Sequence, residues 1–71
     1  MKIIRFENPQ LSFNPKILFI EKQDEVKYKI FADGFEVGLI LERNGYWFVN
    51  HDNVALTDKD KGFLIEGASK L

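Results

Sequence analysis

Residues 26–41 of this chain, VKYKIFADGFEVGLIL, contain its clearest secondary-structure pattern. Apolar residues alternate with other residues on both sides of Asp33-Gly34, and a period of two is typical of half-buried strands. Asp-Gly favours a two-residue type I′ turn, because both central residues of that turn take positive φ. The stretch therefore predicts a β-hairpin of two antiparallel strands joined at Asp33-Gly34.

A two-residue loop also predicts the register of this hairpin. The expected cross-strand pairs are Ala32–Phe35, Ile30–Val37, Tyr28–Leu39 and Val26–Leu41. These pairs are all apolar and share one face, which we predict to be the core face. Phe31 and Ile40 then lie on the opposite face.

The aromatic segment YWFV, which follows Asn44-Gly45, favours a further strand. Its register has two possibilities. With a two-residue loop, Leu41 pairs with Phe48, and the face opposite the core carries Ile40, Trp47 and Val49. With a three-residue loop, Leu41 pairs with Trp47, which turns inward together with Val49. The sequence favours neither register.

The N-terminal part of the chain predicts further strands. Residues 17–20 form an unbroken apolar run, which is typical of a central strand, and residues 2–6 form a shorter strand. Leu11 and Phe13 indicate either a strand fragment or a loop anchored by apolar side chains. We therefore expect an antiparallel meander of four or five strands.

The C-terminal part predicts one helix, from Asp58 to Lys70, with Thr57 as its N-cap. The apolar stripe that faces the sheet consists of Leu64, Ile65, Ala68 and Leu71. Gly67 either allows close approach to the sheet or ends the helix early. The whole chain is thus expected to be a single α+β domain, residues 1–71, with this helix packed on one face of the sheet.

The composition argues against several function classes. The 71 residues include 10 Lys and Arg against 11 Asp and Glu, so the basic excess typical of nucleic-acid and membrane-surface binding is missing. The absence of cysteine excludes disulfides, thiolate metal sites and cysteine nucleophiles. The sequence shows no secretory leader and no apolar run of bilayer length, so we expect a cytoplasmic protein.

No catalytic constellation is visible in the sequence. His51 is the only histidine, and a metal site needs three or four convergent ligands. Neither serine, Ser12 or Ser69, lies in a nucleophile elbow. We therefore expect no catalytic residues, no metal and no cofactor.

The face opposite the helix is the candidate binding surface. One helix covers only one face of such a sheet, so either the N-terminal segment with Leu11 and Phe13 folds over the other face, or that face associates with a partner. The candidate binding residues are Phe31, Ile40, Trp47 and Val49 on this face, and Asn50, His51 and Asp52 in the polar loop tip that follows.

These features predict a non-catalytic module that binds another protein or a second copy of itself. An adaptor, an inhibitor or an immunity-type factor, of the kind that phages and mobile elements encode, would have these properties. The alternative is single-stranded nucleic-acid binding, with Lys27, Lys29 and Phe31 beside the aromatic strand.

Overall fold

The segments in which apolar residues alternate with other residues form strands of one antiparallel sheet, and one helix follows the sheet. The computed structural model describes residues 2–71. Its elements are β1 (Lys2–Glu7), β2 (Ile17–Lys22), β3 (Lys27–Ala32), β4 (Phe35–Arg43), β5 (Tyr46–His51) and α1 (Asp58–Ser69). The strands are neighbours in chain order, β1-β2-β3-β4-β5, and the helix packs on one face. The predicted α+β meander with a C-terminal helix is confirmed.

The predicted two-residue turn at Asp33-Gly34 is present, and the turn at Asn44-Gly45, for which two loop lengths were open, also has two residues. Asp33 and Gly34 have φ values of 51° and 90°, and Asn44 and Gly45 have values of 53° and 83°, as a type I′ turn requires. The Asp33 carboxylate also accepts hydrogen bonds of 2.9 Å from the backbone N–H groups of residues 16 and 17. This side chain therefore links the β3–β4 turn to the start of β2.

A β-bulge changes the predicted register of the hairpin. Phe31 pairs with Glu36, but Ile30 pairs with Gly38, so Val37 is an extra residue on β4. Of the expected pairs only Ala32–Phe35 forms. The other three, Ile30–Val37, Tyr28–Leu39 and Val26–Leu41, were wrong.

The bulge reverses the two faces of β4 beyond Val37. Tyr28 pairs with Ile40, and Lys29 pairs with Leu39. Because successive side chains point to opposite faces, Ile40 turns into the core, where it is fully buried, and Leu39 and Leu41 turn away from it. The expectation that Ile40 lies opposite the core was therefore wrong.

The pairing of β5 with β4 determines the faces of the β5 side chains. Leu41 pairs with Phe48, so the two-residue register at Asn44-Gly45 is the correct one. Trp47 and Val49 do lie on the same face as Ile40, but this is the core face, and both side chains pack against the core. Phe48 lies on the other face.

Gly38 is required beside the bulge, because β4 and β5 approach closely there. A Cβ atom at this position would lie 2.0 Å from the backbone oxygen of Asn50. No side chain fits at that distance. A glycine inside a strand pattern is the signal in the sequence that indicates such a bulge.

The core lies between the sheet and α1. Its fully buried large side chains are Leu18, Ile20, Ile30, Ile40 and Leu64. Helix α1 begins with the predicted Thr57 cap and continues past Gly67, so the interpretation that Gly67 ends the helix was wrong. Gly67 instead allows close approach, since a Cβ atom there would lie 2.9 Å from Ile20 Cδ1.

The Gly38→Ala substitution is expected to destabilise the protein by about 1–3 kcal/mol or more, because the added methyl group meets backbone and not a movable side chain. Urea unfolding monitored by Trp47 fluorescence measures the change. Gly62→Ala is the matched control: nothing lies within 4 Å of its Cβ position, and alanine should stabilise the helix by up to about 1 kcal/mol. Equal stability of the Gly38→Ala variant and the wild type would contradict the close approach.

Candidate binding face

The sheet face that points away from α1 carries most of the exposed apolar side chains of the sheet. We call it the open face. Its apolar members, assigned from the strand registers, are Ile3, Ile17, Phe19, Phe31, Leu39, Leu41, Tyr46 and Phe48. Tyr46 is 72% exposed and Phe48 is 62% exposed. Large aromatic groups at this level of exposure are typical of interaction surfaces.

No segment within residues 2–71 covers the open face. Leu11 is buried in the core, and Phe13 packs against the same core from the helix side of the sheet. Strand β1 pairs only with β2 at the edge of the sheet. The interpretation that the N-terminal strand or the segment with Leu11 and Phe13 folds over this face was therefore wrong.

Charged side chains on the open face are largely paired. Lys29 Nζ lies 3.3 Å from Glu36 Oε1 across β3 and β4, and Arg5 Nη1 lies 2.7 Å from Glu7 Oε1. Glu21 is the direct cross-strand partner of Lys29. These exposed pairs contribute little to stability, but they leave the centre of the face close to neutral.

Two basic residues of this face form no ion pair within the described residues. Lys27 is the cross-strand partner of Leu41, and Arg43 is the partner of Tyr46. They lie beside a shallow pocket lined by Val26, Leu41, Glu42, Arg43 and Phe48. One end of the open face thus combines apolar, aromatic and basic groups.

The structure separates the predicted binding residues. Phe31 lies on the open face, but Ile40, Trp47 and Val49 lie on the core face. Ile40 has no exposed surface and so cannot contact a partner. The Trp47 ring is half-buried with its centre 5.8 Å from that of Tyr28.

Part of the predicted polar loop tip belongs to strand β5. Asn50 and His51 belong to β5 and point to opposite faces, and only Asp52 follows the strand. The His51 ring centre is 4.6 Å from that of Phe13, and its Nδ1 atom accepts a hydrogen bond from the Asn53 N–H. These residues therefore do not form one common binding surface.

Sequence reasoning missed four members of the open face: Leu39, Leu41, Tyr46 and Phe48. Leu39 and Leu41 were expected on the core face, and Tyr46 and Phe48 were expected there in the two-residue register; the bulge at Val37 puts all four on the open face. Gly38 was the only local signal that could have found them.

A polar cluster at the start of α1 holds the segment between β1 and β2. Residue Asp60 is only 2% exposed. It accepts hydrogen bonds from the Ser12 N–H at 2.9 Å, from the Ser12 hydroxyl and from the Thr57 N–H at 3.1 Å. Burial raises the pKa of Asp60, but these hydrogen bonds outweigh burial and lower the pKa below its usual value.

The surroundings of this cluster are also concave. A wide groove between the β1–β2 connection and the start of α1 is lined by residues 8–12 and 14–16 and by Thr57, Lys59 and Asp60. Within the part of the chain that the structure describes, every buried side-chain nitrogen and oxygen has a hydrogen-bond partner. The hydrogen bonds between α1 and the β1–β2 connection therefore explain why polar groups are buried in this cluster.

Residues 2–71 contain no group of three or more His, Cys, Asp or Glu side chains with metal-binding geometry. No helix in the same range has the length and apolarity needed to cross a membrane. The chain matches no protein-family model, and no significant similarity to a curated protein or to a solved structure was found.

Asp60→Asn should lower the free energy of unfolding at pH 7 by about 1–3 kcal/mol, because it weakens charge-assisted hydrogen bonds in a buried site. Since the pKa of Asp60 is lowered in the folded state, its stabilising effect is present above the unfolded pKa of about 3.9 and is lost as the pH falls through the folded pKa. The difference between wild type and variant should therefore shrink in acid.

Chemical denaturation at a series of pH values from neutral to strongly acidic measures this difference. Asp58→Asn is the control, because the exposed Asp58 acts only on the helix dipole and should contribute less than about 1 kcal/mol. A constant difference between wild type and Asp60→Asn over the whole series would contradict the assignment.

Proposed function

We propose that this chain is a non-catalytic protein-binding module that acts in the cytoplasm and binds its partner through the open face. An adaptor, an inhibitor or an immunity-type factor would work in this way. The observation that supports the proposal is a five-stranded sheet with a helix on one face only, within residues 2–71, and exposed aromatic and aliphatic side chains on the other.

The chemistry of the open face favours a protein partner. Ile3, Ile17, Leu39 and Leu41 are aliphatic, so they offer shape-complementary packing but no stacking surface for bases. Phe48, Tyr46 and Arg43 are residue types that are enriched at interfaces. A partner with an apolar ridge and an acidic group near Lys27 and Arg43 would complement this face.

Single-stranded nucleic acid is the second candidate. The registers bring Lys27, Lys29 and Phe31 onto the same face as Tyr46 and Phe48, which is the combination of basic and aromatic groups that such ligands need. The observation against nucleic-acid binding is that Lys29 is paired with Glu36 and lies beside Glu21. This charge balance makes a protein the better candidate.

The double substitution Phe31→Thr and Leu41→Thr tests the proposal, because it removes apolar groups from the open face and retains good strand formers. Phe35→Thr is the matched control: Phe35 is 73% exposed but lies at the β3–β4 turn, opposite Ala32. Unfolding curves of all three proteins establish that each is folded.

Nuclease-treated lysate of the source cells is passed over immobilised wild-type and variant proteins, and the affinity of any captured protein is then measured. We expect a stoichiometric partner that binds the wild type and Phe35→Thr equally and the double variant at least about tenfold more weakly. Equal binding to all three would contradict the proposal. Oligonucleotide binding that falls steeply with added salt, and is lost in the double variant, would favour the second candidate.

A further inference from the structure

We infer that the free edge of β5 pairs with β5 of a second copy of this chain, in antiparallel orientation about a twofold axis. The result is a continuous ten-stranded sheet. This inference concerns the edge of the sheet and goes beyond the proposed function, which concerns its open face.

The two edges of the sheet differ in their protection against pairing. Edge strand β1 carries three charged residues, Lys2, Arg5 and Glu7. Edge strand β5, YWFVNH, contains no Lys, Arg, Asp, Glu or Pro. Its register with β4 runs without a bulge from Arg43 opposite Tyr46 to Gly38 opposite His51. Charges, prolines and bulges are the usual devices that block edge pairing, and β5 has none of them.

The hydrogen-bond pattern shows which backbone groups of β5 point outward. The Glu42 N–H donates to Val26 O at 2.9 Å, so the backbone of Glu42 faces β3. Its cross-strand partner Trp47 therefore belongs to a pair without mutual hydrogen bonds, and the N–H and C=O of Trp47 point away from β4. Alternation along the strand gives Val49 and His51 the same outward direction.

These outward groups have no backbone partner within residues 2–71. The next residue, Asp52, donates its N–H to Val37 O at 2.7 Å, so this N–H points toward β4 and not to the free edge. The segment 53–57, which leads to α1, makes no backbone hydrogen bond to β5. The edge is therefore an unoccupied template for another strand.

A second copy of β5 fits this template. With Val49 of one copy opposite Val49 of the other, Trp47 lies opposite His51 on the helix side, and all the outward groups of Trp47, Val49 and His51 find partners. On the open face, Phe48 lies opposite Asn50. No like charges meet, because the strand has no charged residue.

Strand β1, at the other edge of the sheet, is a poorer pairing partner for β5 than a second copy of β5. Pairing of β5 with β1 would place Arg5 or Glu7 beside apolar and aromatic side chains of β5. It would also be a head-to-tail contact, which does not close after two copies and builds a filament unless its rotation closes into a ring. Twofold β5 pairing closes after two copies and puts both open faces on the same side of the sheet.

Backbone N-methylation at Val49, introduced by chemical synthesis, removes an outward donor and leaves every side chain unchanged. N-methylation at Arg5 is the matched control. Asn8 N–H donates to Lys16 O, so alternation along β1 places the Arg5 N–H on the outer edge as well. Sedimentation equilibrium over a range of concentrations gives the dissociation constant of each protein.

We expect the wild type and N-methyl-Arg5 to show the same monomer–dimer equilibrium, and N-methyl-Val49 to dissociate at least about tenfold more readily. Amide exchange at Trp47, Val49 and His51 should slow as the wild-type concentration rises. A monomer at all concentrations would overturn the inference. So would a dimer that N-methyl-Val49 retains and the Phe31→Thr/Leu41→Thr variant loses, since that dimer would use the open face.

Discussion

The close approach of β4 and β5 at Gly38, together with the extra residue Val37 beside it, determines which side chains enter the core. The bulge puts Ile40 between the sheet and α1, where it is fully buried. The same shift carries Trp47 and Val49 inward through the β4–β5 register. Without it, the opposite set of β4 and β5 side chains would face the helix.

The second organising feature is the polar cluster around Asp60. It joins the cap of α1 to Ser12, in the long connection between β1 and β2. Buried carboxylates are stable only when their oxygens accept hydrogen bonds, and here backbone and hydroxyl donors supply them. Because this contact keeps the connection on the helix side, the connection does not cover the open face.

The fold thus leaves two different surfaces for association. The open face offers side chains of mixed chemistry, whereas the β5 edge offers backbone groups with little dependence on side-chain identity. A dimer through the edge would double the open face without covering it. The two surfaces therefore suit different occupants, and association at one is compatible with association at the other.

Elements whose causes are local could be predicted from the order of the amino acids. The Asp33-Gly34 turn needs only residues that adopt positive φ, and the helix needs its Thr57 cap and the apolar residues Leu64 and Ala68, whereas Ile65 of the predicted stripe does not pack against the core. Much of the candidate site was not predictable in this way: Phe31 was placed correctly, but Ile40 was assigned to the wrong face, and so were Trp47 and Val49 in the two-residue register. The faces of β4 and β5 depend on packing between distant residues, because the one-residue shift at Val37 is set by the contact of Gly38 with Asn50 and by the burial of Ile40 in the core.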